Sequence, residues 1–217
     1  MKKLLIMTAL ILFLISQSLL VQASEIHNQL VAFTSQAPTG NWSDQRFQDG
    51  CEEASSLMAV AWARNQKITK SSALDFIKKS SGFTQKKYGE YRDLSASSTE
   101  KWIINDYLNY KKTKIYKNVS REKIVEIIKS GNIIIAPMNG QLLRNPFFTG
   151  SGPLHHMLLI TGYDNREKTF ITNDPGTKRG ENYQYAEKIL YAALADYPTG
   201  YHKKNDLVEK NIIVVYK

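Results

Sequence analysis

One cysteine stands in the chain, Cys51, within the stretch QDGCEEASSLMAVAW. A lone thiol can be an inert core residue, half of an intermolecular disulfide or a nucleophile, and its neighbours must decide. Gly50 just before it permits a tight turn and leaves room for a substrate backbone. From Cys51 onward Ala54, Leu57, Met58, Ala61 and Trp62 recur at helical spacing, so the cysteine opens a predicted helix of about four turns. Unpaired N–H groups and the helix dipole at such a position favour a thiolate. Glu52 and Glu53 oppose it through like charge, although acidic residues suit a first helical turn and can point to solvent there. On these local grounds a buried cysteine and a nucleophile weigh equally.

A nucleophilic thiol needs a base. His27 near the start and His202 in a polar tail read as surface residues. His155 and His156 open the apolar stretch HHMLLITGY. Side chains alternate along a strand, so only one of the pair can face a given site, and the two cannot share one metal. With no second cysteine there is no zinc pattern, and neither a metal nor an organic cofactor is expected. A base in turn needs an orienting acceptor. Asp174 in FITNDPG ends the strand after the histidine strand, joined to it by a short hairpin, where cross-strand neighbours come within reach. A carboxylate there would fix the imidazole tautomer and stabilise imidazolium. Taken alone, NDPG reads more simply as a turn.

These residues must be held by elements the pattern also supplies. A strand is expected at QLVAFT, then a polar loop, SQAPTGNWSDQRFQD, leading to Gly50. Helices fit SALDFIKKS, STEKWIINDYLNY and SREKIVEIIKS, with capping-box spacing at Ser97 and Glu100, and Gly131 closing the third. Strands follow at NIIIAPM, HHMLLITGY and KTFITND, with a turn from Asp164 to Glu167; a helix over AEKILYAALADY and a strand at NIIVVY complete the chain. Helices first and an antiparallel sheet later is an α+β plan. The loop NGQLLRNPFFTGSGP is long enough to rim a site, and its adjacent Phe147 and Phe148 could form a lid or pack inside, with core the commoner place for two adjacent aromatics.

The 217 residues carry 29 Lys and Arg against 20 Asp and Glu, a formal net charge of +9 of which Lys2 and Lys3 supply two. Residues 1–23 have the basic start, apolar run and Val21-Gln22-Ala23 ending of a cleaved secretory signal; a retained membrane anchor is the weaker alternative, because Ser16, Gln17 and Ser18 interrupt the run. Residues 24–217 then form one domain. The lysine clusters TQKKYGEY, NYKKTKIYKN and YHKKND read as solvated faces rather than a nucleic-acid surface. The expectation is a secreted or cell-surface monomer without stable membrane insertion after signal removal. Exported proteins commonly pair their cysteines, which makes an unpaired one more conspicuous.

Taken together, FTSQAPTGNW, DGCEEASSLMAVAW, HHMLLITGYD and FITNDPG resemble the bacterial double-glycine-type cysteine peptidase-like domains, relatives of the bacteriocin-processing peptidases within the papain-like superfamily. The resemblance runs from Phe33 to Gly176 in the family's order. It implies a papain-like α+β fold with a Cys–His–Asp triad: Cys51 after the glycine, His156 six residues before Gly162 of the TGYD turn, and Asp174 in the DP step. An upstream glutamine helps form the oxyanion hole in such families; Gln36 of TSQ is preferred over Gln45, which lies six residues before Cys51. The chain departs from the family's pattern at Ala32, where a proline is frequent, and at Glu52-Glu53-Ala54, where relatives carry glycine or glycine-proline.

The implied function is a secreted thiol-dependent hydrolase that cleaves a peptide or amide bond through a thioacyl intermediate, with a peptide or protein as substrate. Two alternatives use the same chain: a cell-wall amidase or endopeptidase acting on peptidoglycan stems with the same triad, and a non-catalytic binding protein on the same scaffold.

Overall fold

In the computed structural model, residues 26–204 and 208–217 are described; the expected signal segment 1–23 lies outside them. The elements in chain order are β1 (Ile26–Asn28), α1 (Gln45–Gln48), α2 (Cys51–Ala63), α3 (Lys70–Tyr88), α4 (Ala96–Ser98) running into a π-helical stretch (Thr99–Tyr107), β2 (Thr113–Tyr116), α5 (Arg121–Lys129), β3 (Ile133–Met138), α6 (Gly140–Leu143), β4 (His156–Asp164), β5 (Thr169–Asn173), β6 (Tyr183–Ala186), α7 (Glu187–Ala193) and β7 (Ile212–Val215). The strands form one sheet in the order β2-β7-β3-β4-β5-β6, and β1 pairs with the far end of β4. The pairings are antiparallel. The α+β plan therefore holds.

Strand alternation splits the core in two. Leu158 and Ile160 of β4 join Ile134, Ala136 and Phe170 beneath Ile124, Ile127 and Ile128 of α5 and Leu190 of α7. Met157 and Leu159 face the other way and join Ile133, Ile135, Ile213 and Val215 beneath Cys51, Met58, Ala59 and Trp62 of α2. The central strands are buried on both faces, which explains why β3 and β4 read as unbroken apolar runs.

Several boundaries differ from expectation for identifiable reasons. The first strand is residues 26–28, not QLVAFT: beyond Gln29, the chain turns away from β4 and Thr34 N–H meets Met58 Sδ at 3.4 Å on α2. The helix expected at SALDFIKKS runs from Lys70 to Tyr88, started by a Thr69–Ser72 capping box and stopped by Gly89 in the left-handed region. The cap expected at Ser97 sits at Ser95, whose hydroxyl accepts from Ser98 N–H. Helix α7 ends at Ala193, so Asp196 and Tyr197 are free to reach the loop at Ala96 and the start of α2. Strands β2 and β6 had no expectation. They are short and half exposed, so they carry little apolar signal. Among the described residues no helix is long and apolar enough to cross a membrane.

Candidate active site

Helix α2 delivers Cys51 as its first residue, with Gly50 as N-cap. A side chain at Gly50 would place Cβ 2.5 Å from the Arg46 carbonyl oxygen, so only glycine lets the α1 turn press against the helix start. As the first residue of the helix, Cys51 has a main-chain N–H without an intrahelical acceptor. Cys51 lines a cleft of about 1300 Å³ that His155, His156, Gln36, Gln45, Phe147 and Phe148 also line.

Across the sheet, β4 and β5 set the histidine and the aspartate. Asn173 pairs with Leu159, so Asp174 falls level with Leu158, and His156 two residues back shares that face. His156 Nε2 donates to Asp174 Oδ1 at 2.8 Å. The same carboxylate accepts from Gly176 N–H at 3.0 Å, from the Tyr185 hydroxyl at 2.5 Å and from Asn145 Nδ2 at 3.4 Å. Burial works to raise the Asp174 pKa, but the charge and hydrogen bond of His156, with the Tyr185 hydroxyl and Gly176 N–H, hold it below the usual carboxylate range. An ionised Asp174 keeps the proton on Nε2 and leaves Nδ1 as the nitrogen that can exchange one. The Phe148 ring stands edge-on to the imidazole at 5.3 Å. A Cβ on Gly176 would come within 2.9 Å of both rings, so this glycine permits their packing.

His155 takes the opposite side, as alternation requires. Its ring stacks on Tyr197 at 4.5 Å, and Nδ1 lies 3.3 Å from Asp93 Oδ2 without the alignment of a hydrogen bond. His27 is half-buried in β1. His202 is exposed, as read from its polar surroundings, yet it reaches the cleft rim, where its main-chain N–H donates to Asp93 Oδ2 at 2.6 Å.

Three placements depart from the sequence reading. Glu52 and Glu53, which suited a solvated first turn, are completely buried, because the loop at Leu94, the Tyr197 segment and α3 close over the helix start. The Cys51 thiol donates to Glu52 Oε2 at 3.2 Å, and among the described residues neither imidazole hydrogen-bonds to the sulfur. Burial first, and the Glu52 charge second, push this thiol well above its ordinary value, while Met157 N–H works in the other direction. Phe147, read as a core residue, lines the cleft and is 40% exposed, whereas Phe148 lines the cleft and also packs against the core beneath α5 and α7.

Both candidate glutamines line the cleft, with their amides engaged. Gln36 Nε2 donates to the carbonyls of Phe47 at 3.1 Å and Gln48 at 2.7 Å, holding the chain that leads into Cys51, and its Oε1 has no partner. Gln45 Nε2 donates to Asp49 at 2.7 Å from an exposed position. Tyr185 and Asn145, which secure Asp174, carried no sequence signal. Tyr185 lies on a strand that was not anticipated, and Asn145 lies in the loop before β4.

Among solved structures, a crystal structure described as a C39-like peptidase from Bacillus anthracis is similar at 15% identity, covering 86% of this chain and 94% of that one, with a TM-score of 0.47. Xylellain, a cysteine protease from Xylella fastidiosa, is similar at 15% identity, covering 88% and 85%, with a TM-score of 0.38. No curated protein matches. The family described as Peptidase_C39 like matches residues 28–204, most of the chain, and the protein belongs to that family.

Proposed function

We propose that this protein is an exported cysteine peptidase in which Cys51 attacks a peptide or amide carbonyl and His156, oriented by Asp174, moves the protons. The observation that carries the reading is the 2.8 Å bond between His156 Nε2 and Asp174 Oδ1 beside the cleft that Cys51 also lines. In this scheme the thiol proton passes to His156 Nδ1 as sulfur bonds to the carbonyl carbon. The imidazolium then protonates the departing amine, leaving a thioester. His156 next takes a proton from water, the resulting hydroxide displaces the sulfur, the imidazolium returns that proton to the sulfur, and the acid product leaves. The Cys51 main-chain N–H is the first donor to the developing oxyanion. Gln36 is the second once one of its N–H groups releases the loop carbonyls, a kind of donor whose loss costs on the order of 10²–10³ in rate.

A peptide library incubated with the purified protein, with products read by mass spectrometry, tests the reading. Cys51→Ala and iodoacetamide treatment are each expected to reduce cleavage on the order of 10³-fold or more. Cleavage that survives either one rules out Cys51 as nucleophile. Export through residues 1–23 predicts that the protein recovered from culture medium begins at Ser24.

A further inference from the structure

Glu52 has a stronger claim on the thiol than any base in the cleft. Its carboxylate is 0% exposed. Oε1 accepts from Leu94 N–H at 3.0 Å and from the Tyr197 hydroxyl at 2.8 Å, and Oε2 accepts from Cys51 Sγ at 3.2 Å. Three donors from the helix start, the loop before α4 and the segment after α7 thus converge on one carboxylate next to the nucleophile. A purely structural carboxylate would not need the reactive thiol as one of its donors.

We propose that Glu52 is a positioning residue that parks the Cys51 thiol in a protonated resting state, bonded away from His156, so that activation begins when the thiol leaves Glu52. This rests on Cys51 being the nucleophile. Two effects enforce the resting state. The S–H···Oε2 bond orients the hydrogen away from the imidazole, and a thiolate formed in place would lie against a buried negative charge. The other titratable groups facing Glu52 do not relieve that charge: Glu53 follows on the same helix, Asp93 approaches from the preceding loop, Tyr197 donates to it, and His155 reaches it only through its stack on Tyr197. The Glu52 carboxyl is itself raised to about 7, by burial first and Asp93 second, so it is half ionised near neutrality and carries its charge on the alkaline side, where the thiol would ionise. Substrate entering the cleft would compete with Glu52 for the thiol, which couples activation to occupancy.

The test is the pH dependence of iodoacetamide alkylation of Cys51 in the folded full chain. For the unmodified protein, the rate is expected to rise only on the alkaline side of neutrality. A thiolate plateau reaching down to acid pH, the mark of a resting cysteine–histidine ion pair, overturns the proposal without any variant. In Glu52→Gln the amide oxygen still accepts from Leu94 and Tyr197, and its N–H turns towards sulfur. The alkylation curve is therefore expected to move acidward by about one unit, on the order of tenfold faster at pH 7. A folded Glu52→Gln protein whose curve is unmoved or moves alkaline overturns the role of Glu52. Peptide cleavage is followed in parallel. Cleavage lost in Cys51→Ala beside an unmoved Glu52→Gln curve removes this role and keeps the nucleophile. A shifted curve with no cleavage by any form keeps the contact and removes the peptidase reading.

Discussion

Two neighbouring histidines each meet an aspartate at the same cleft, and the two pairs are built differently. His156 bonds Asp174 at 2.8 Å, and Asp174 is fully buried and also receives Gly176, Tyr185 and Asn145. His155 lies 3.3 Å from Asp93 without hydrogen-bond alignment, stacked on Tyr197, and Asp93 receives His202 N–H. The first pair fixes one tautomer and one ring orientation before any substrate arrives. The second places an aromatic surface against Tyr197 and leaves its proton arrangement open. Proximity of an acid and an imidazole is common to both, and preorganisation distinguishes them.

The widest separation between the pairs is expected in peptide cleavage by the histidine variants. His156→Ala should lower kcat/KM on the order of 10³-fold or more, whereas His155→Phe, which preserves the stack on Tyr197, should stay within about threefold. Equal losses would make the two pairs equivalent. The aspartates sharpen the contrast: Asp174→Asn should cost on the order of 10²–10⁴ in kcat by holding the wrong tautomer. Asp93→Asn should cost little, since asparagine tolerates the left-handed backbone at φ 48°. A smaller effect separates the support around Asp174 from the acid itself. Tyr185→Phe deletes one donor to the carboxylate and should reduce kcat by about tenfold or less, with the acid limb of the pH–rate profile moving alkaline.

A separate expected effect is on stability, where the buried acids divide by sign. Asp174 is depressed, so its contribution is present above the unfolded carboxylate range and is lost as pH falls through its folded value. Glu52 is raised from 4.5 to about 7, so its contribution is fully present below 4.5 and is lost as pH rises towards 7. Thermal unfolding followed against pH should show that decline in the unmodified protein. The decline should flatten in Glu52→Gln, by on the order of 3 kcal/mol between the two limits. A decline of unchanged steepness would assign it to Glu53 instead.

Much of this cleft was legible in the chain. The glycine before Cys51, the helical spacing after it, the apolar histidine strand and the DPG turn are local patterns, and local steric and hydrophobic rules generate them without knowledge of the rest. The fate of Glu52 and Glu53 was not legible. Their position in a first helical turn suits solvent, and only the arrival of Tyr197 and Leu94 at Glu52 and of Ser81 at Glu53 from other segments buries them. Strand β6 was missed for a similar reason: two of its four residues are exposed, yet it carries Tyr185 to Asp174.

By itself the sequence determined an antiparallel sheet with a cysteine-bearing helix, because periodicity and turn chemistry act over a few residues. It also determined that His155 and His156 must part, because side chains alternate on an extended backbone. Which of them meets Asp174 was decided in three dimensions. The hairpin begins with Asp164 opposite Thr169, but the register shifts between Ile160 and Gly162, so Asn173 faces Leu159. Without that bulge Asp174 would lie level with Leu159, on the face that Met157 shares. A one-residue slip reverses every side chain beyond it, and nothing local to Asp174 records where the slip occurs.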